Sequence, residues 1–123
     1  MKSKEKYNLE FKAEVAKTFL KTDSAYANYN DGEIMFGVFD NGDLAGIDDA
    51  KFDSLRIENM INDSIVPGPD FEIKVREVEG KTIIVLGVKK GKDTPYYYQG
   101  KAYKRSDTST VEVDRFELRR LAI

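Results

Sequence analysis

The 123 residues include no cysteine, no histidine and no tryptophan. Without cysteine there are no disulfides or thiol nucleophiles. With histidine also missing, Ser-His-Asp catalysis, Cys-His dyads and ordinary zinc sites are excluded as well. Any catalysis is left to carboxylates, lysine, tyrosine and hydroxyls. No apolar run approaches the roughly 20 residues that span a bilayer, and the start Met1-Lys2-Ser3-Lys4-Glu5-Lys6 is too charged for a secretory signal. The expected location is the cytoplasm, with no membrane partner. A surplus of positive charge is missing too: 20 Lys and Arg stand against 22 Asp and Glu, a net charge of −2. Stand-alone nucleic-acid binders usually carry a basic surplus, because neutralising phosphates supplies much of their affinity. Binding of that kind would need a local patch. Basic residues do gather at Lys2, Lys4 and Lys6, at Lys89, Lys90 and Lys92, and at Lys101, Lys104 and Arg105, whereas residues 40–53 are acidic.

A hydrophobic share of 41% over this length suits one domain, 1–123, with a single core. Residues 7–11 read as a short strand and residues 13–28 as a helix with Val15, Phe19, Leu20 and Ala27 on one stripe. The turn signal Asn30-Asp31-Gly32 precedes an apolar strand over 33–39. Asn41-Gly42 then favours a type I′ turn, in which both central residues take positive φ. A second helix, capped by Asp53 or Ser54, runs to the Pro67-Gly68-Pro69 connector. Phe71, Ile73 and Val75 alternate with charged residues in a half-exposed strand. Residues 82–88 form a fully buried one, and Glu79-Gly80 joins the two as a hairpin. Residues 95–98, a Gln99-Gly100 turn, a strand through Tyr103 and Arg105, and a helix over 113–121 complete the chain. Strands and helices do not alternate strictly, so the expected class is α+β: a mixed, mostly antiparallel sheet packed with about three helices.

Gly80-Lys81-Thr82 carries the end of a P-loop, but the glycine required five residues earlier is Val75, so ATP and NAD are not expected. Glu5, Glu10 and Asp40 can converge if the first strand lies beside the one ending at Asp40. Oxygen donors of that kind suit Mg²⁺, which assists phosphodiester hydrolysis. The simpler account pairs Glu10 with Lys12 or Arg105 and makes Asp40 a turn initiator. Tyr103-Lys104-Arg105-Ser106-Asp107-Thr108-Ser109-Thr110 runs basic residues into a hydroxyl-rich loop suited to phosphate oxygens. The alternative is a polar loop capping the last helix through Thr110 or Asp114. Tyr96, Tyr97, Tyr98 and Tyr103 stack on unpaired bases in one reading and pack in the sheet in the other.

Five segments in register resemble the Schlafen AlbA-like domain family, once labelled a divergent AAA-type ATPase. They are Leu9-Glu10-Phe11-Lys12, Ser24-Ala25-Tyr26-Ala27-Asn28, residues 34–40 with Gly42 and Gly46, Pro95-Tyr96-Tyr97, and Tyr103-Lys104-Arg105-Ser106 with Ser109-Thr110. The resemblance covers nearly the whole chain. It implies a prokaryotic DNA- or RNA-binding domain of transcriptional-regulator-like proteins, often placed ahead of a winged-helix segment. Contacts would run through Lys12, Tyr103, Lys104, Arg105, Ser106 and Ser109. It also implies, as the alternative, a metal-dependent endoribonuclease acting on structured RNA with Mg or Mn at Glu5, Glu10 and Asp40. A non-catalytic interaction or homodimerisation domain is the third expectation. The chain departs from the family pattern at Asp31, Phe39 and Asp107, where the pattern often has glycine, an acid and glycine.

Overall fold

The structure is a computed structural model that describes residues 3–123. In chain order its elements are β1 (Leu9–Lys12), α1 (Phe19–Tyr29), β2 (Gly32–Phe36), α2 (Ala50–Ser64), β3 (Ile65–Val66) and β4 (Phe71–Val78). They continue with β5 (Lys81–Val88), β6 (Tyr97–Tyr98), β7 (Tyr103–Ser106), β8 (Ser109–Glu112) and α3 (Arg115–Leu121). The main sheet has the order β1-β2-β5-β4. β1 and β2 run parallel, and the other neighbours are antiparallel. Two small ribbons, β3–β6 and β7–β8, stand apart from it. The mixed, mostly antiparallel sheet with three helices is the α+β class expected from the sequence. Among the described residues no helix is long and apolar enough to cross a membrane.

Both faces of the sheet are covered. On one, Ile34, Phe36, Ile84, Leu86 and Val88 join Phe19, Leu20 and Tyr26 of α1 and Ile57 and Ile61 of α2 in the main core. The Phe19 and Phe36 rings meet edge to face at 5.2 Å. On the other, Phe11, Val38, Ile83 and Val85 form a second cluster with Leu9, Met35, Leu44 and Val78 around it. This explains the unbroken apolar run of β5, whose residues must be apolar on both sides. Each large side chain buried this way contributes about 1.5–3 kcal/mol.

Several boundaries differ from the sequence reading. α1 begins at Phe19, not at residue 13, because β1 extends to Lys12 opposite Phe36 and the chain must first turn. Val15 is buried from within that turn, so its place on the apolar stripe is not helical. β2 stops at Phe36, since Gly37 takes φ +95° and a Cβ there would lie 3.0 Å from Ile47. The Asn41-Gly42 turn is not type I′. Of its central residues only Gly42 has positive φ, its N–H reaches Phe39 O at 2.8 Å, and Asn41 Oδ1 accepts the Asp43 N–H. α2 starts earlier than expected, capped by Asp49, whose carboxylate accepts the Phe52 N–H at 3.0 Å. Ser109 and Thr110, read as part of a loop, open β8, which lacks apolar alternation because its ribbon is mostly exposed. The other two turns hold: Glu79-Gly80 and Gln99-Gly100 each place both residues at positive φ.

Candidate nucleic-acid interface

Residues 22–28 of α1 are all buried, and of their polar side chains Thr22, Ser24 and Asn28 find partners inside the protein. Ser24 Oγ donates to Tyr96 O at 2.8 Å and accepts the Tyr103 N–H at 3.3 Å. Asn28 Nδ2 donates to Tyr96 O at 3.0 Å, while its Oδ1 accepts the Tyr96 N–H at 2.6 Å. The Ser24-to-Asn28 segment is therefore a clip that holds the strand segments around Tyr96 and Tyr103 against α1. Its Tyr26 ring lies over Gly32, where a Cβ would come within 2.5 Å of it.

The Arg105 guanidinium sits 5.9 Å from the centre of that Tyr26 ring. Nη1 donates to Glu10 Oε1 at 2.9 Å and to Thr110 Oγ1 at 3.0 Å. Nε and Nη2 donate to the carbonyls of Tyr7 and Lys6 at 2.9 and 2.8 Å. Thr22 completes the network, donating to Glu10 Oε1 at 3.1 Å and lying 2.7 Å from Thr110 Oγ1. The Arg105 side chain is 2% exposed and that of Glu10 is 9%. β1, α1, β7, β8 and the N-terminal segment are fastened together at this one guanidinium.

The residues expected to meet nucleic acid therefore separate into distinct roles. Arg105 is turned inward, its guanidinium donating to Glu10, Thr110 and the carbonyls of Lys6 and Tyr7. Lys104 Nζ donates to both Glu117 carboxylate oxygens at 2.8 Å, and that bond raises its pKa. Lys12 Nζ donates to Thr18 Oγ1 at 3.1 Å and lies 3.9 Å from Glu10 Oε2. Tyr103 is buried beneath Lys21, whose ammonium is 5.7 Å from the ring centre. Tyr96 and Tyr98 are buried as well, so sheet packing accounts for these tyrosines better than base stacking. Ser106 and Ser109 remain exposed at the tip of the β7–β8 ribbon, on either side of Asp107 at φ +57°.

The three carboxylates considered for a metal share one electrostatic neighbourhood. Glu5 accepts the Phe11 N–H at 3.2 Å. Burial raises its pKa, and the charges of Glu10 and Asp40 raise it further. Glu10 Oε2 is buried without a hydrogen bond. Among the described residues, however, no group of three such side chains is arranged to hold an ion. The Arg105 cation already sits on the other oxygen of Glu10. As placed, these donors do not fit a divalent metal.

A basic groove that the sequence did not reveal lies at the other end of α1. About 460 Å³ in volume, it has a lining that includes Asn28, Lys90, Lys92, Thr94 and Arg120 and one acid, Glu117, whose carboxylate is held by Lys104. The Gly91 N–H donates to Ala27 O and the Lys90 N–H to Asp31 Oδ1, both at 2.8 Å, which fixes the lysine loop against α1. Thr94 Oγ1 donates to Leu121 O and anchors α3. Among the described residues none of Lys90, Lys92 and Arg120 takes part in an ion pair, whereas Lys89, Lys101 and Lys104 each do. The lysine run was visible in the sequence. Arg120 read only as a helix end, and only packing brings it to the lysines.

A family model described as Schlafen, AlbA_2 matches residues 5–114. The DIP2311 protein from Corynebacterium diphtheriae superimposes with a TM-score of 0.74 at 18% identity, over 94% of this chain and 23% of its own. The present chain thus spans under a quarter of that protein. The N-terminal domain of a protein from Nitrosomonas europaea described as related to the DNA helicase RecG gives 0.66 at 22% identity, over 92% of this chain and 85% of that one. At these identities the likeness is one of fold. None of the curated proteins matches.

Proposed function

The chain belongs to the Schlafen, AlbA_2 family, and from that membership we propose that it is a nucleic-acid-binding domain which holds the phosphate backbone of DNA or structured RNA in the groove beside α3. The observation that carries this is the convergence of Lys90, Lys92 and Arg120 without ion-pair partners among the described residues. A chain of net charge −2 can still attract phosphate where cations are concentrated and unopposed. Lys104, which holds the lining Glu117, and the exposed hydroxyls of Ser106 and Ser109 are secondary contacts. The setting we propose is a regulator-like protein acting on nucleic acid; the RecG-related neighbour is named for a DNA helicase.

Fluorescence anisotropy with labelled duplex DNA and structured RNA, read across a salt series, tests the proposal. Neutralising about three phosphates gives a log-log slope of about −2.7, which is about a 40-fold loss of affinity between 50 and 200 mM salt. Binding indifferent to salt, or equally strong after Lys90→Ala and Arg120→Ala, would rule the groove out.

The endoribonuclease reading retains only the shared neighbourhood of Glu5, Glu10 and Asp40, which as placed do not fit a divalent ion. Incubation of structured RNA with the protein and Mn²⁺ checks it. Cleavage that disappears in Glu5→Gln, Glu10→Gln and Asp40→Asn would establish the enzyme, and cleavage that persists in all three would remove these carboxylates from consideration.

A further inference from the structure

β4 ends the main sheet, and among the described residues no strand pairs with its outer side. An open edge eight residues long, without proline or bulge, is a template for another strand. The Lys89 N–H donates to Asp70 O, so the backbone groups of Asp70, and by alternation of Glu72, Lys74 and Arg76, turn toward β5. Those of Phe71, Ile73 and Val75 turn outward. Charged side chains on an edge ordinarily guard it against pairing. Here their order does the opposite in one register. When β4 is laid antiparallel on itself with Ile73 facing Ile73 of a second copy, Glu72 meets Lys74, Asp70 meets Arg76 and Phe71 meets Val75. Every opposed charge is then of opposite sign, and each outward amide meets an outward carbonyl. Centring the pair on Lys74 or Glu72 sets that residue against itself, and centring it on Val75 sets Lys74 against Arg76. Only the Ile73-centred register is free of like charges.

We propose that β4 pairs with β4 of a second copy of this chain about a two-fold axis at Ile73, joining two four-stranded sheets into one. Val75, 52% exposed in the isolated chain, comes to lie beside Phe71 of the second copy. The exposed contact of Lys74 with Glu72 in the same strand, at 3.8 Å, yields readily to the pairing across the axis, because such pairs hold weakly. This rests on the strand's own register and stands whether or not the groove binds nucleic acid.

Sedimentation of the full chain over a concentration series tests it with three samples. The unaltered protein is expected to show a monomer–dimer equilibrium. Lys74→Glu sets carboxylates opposite each other and Glu72→Lys sets ammonium groups opposite each other, so each alone is expected to weaken dimerisation at least tenfold. Mixed in equal amounts, the two variants restore every opposite-charge pair and the dimer returns. The proposal is overturned if the unaltered protein is monomeric throughout, if the single variants dimerise as it does, or if the mixture stays monomeric.

Discussion

Asp23 and Arg105 show how far a side chain's role depends on what surrounds it. Both carboxylate oxygens of Asp23 are buried on α1 without a hydrogen bond, and burial pushes its pKa up to about 8. The folded protein thus keeps this proton across a pH range in which the unfolded chain, titrating near 4, has lost it. The associated stability is complete below about pH 4, declines as pH rises, and is gone above about pH 8. The slope is at most about 1.4 kcal/mol per pH unit. Asp23→Asn is expected to flatten this slope, read as urea midpoints at pH 5 and pH 8; an unchanged slope would show that the carboxyl is not the source. For Arg105, removal strands a buried Glu10 carboxylate. Arg105→Ala is expected to cost about 3–5 kcal/mol in denaturant melts. Arg105→Lys is expected to recover only part, because one ammonium cannot serve Glu10, Thr110 and two carbonyls at once. The pairing of Glu10 with Arg105 was readable as one of two alternatives. That it is buried was not, since burial is set by the approach of the N-terminal segment and the β7–β8 ribbon.

Among the elements, two glycines separate space from backbone freedom. Gly32 opens β2 beneath the Tyr26 ring, and Gly32→Ala would drive a methyl into that ring and displace the Arg105 network above it. The expected loss is about 1–3 kcal/mol, measured by thermal or urea unfolding. Gly80 meets nothing within 4 Å but holds φ +80° in the β4–β5 turn, so Gly80→Ala is expected to cost about 1 kcal/mol through conformation alone. At α3 the capping box of Asp114 and Glu117 holds the helix that presents Arg120. Asp114→Ala is expected to lower stability by about 1 kcal/mol and to weaken nucleic-acid binding with it. The Glu79-Gly80 and Gln99-Gly100 turns were legible, and Asp114 was one of two candidate caps for the last helix, because these signals are local. The starts of α1 and α2 were not, since strand pairing and an earlier cap moved them.

At the level of the whole molecule, charge and edge are the two properties open to test. The groove proposal predicts that Lys90→Ala and Lys92→Ala each reduce affinity for duplex and structured RNA alike while leaving the unfolding temperature unchanged, since among the described residues neither ammonium has an ion-pair partner to lose. Anisotropy and thermal melts on the same samples check this. The composition, the two-sided apolar run of β5, the alternation of β4 and the order of the family segments determined the class and the family, because each depends on residues close together in the chain or on spacing alone. Tertiary structure decided which polar residues are spent inside. It buried Arg105, Tyr103 and the clip of Ser24 and Asn28, left Ser106 and Ser109 exposed, and assembled Lys90, Lys92 and Arg120 from a loop and a distant helix. The physical reason is that a cation is free for a ligand only when no carboxylate or carbonyl reaches it, and that depends on neighbours far away in sequence.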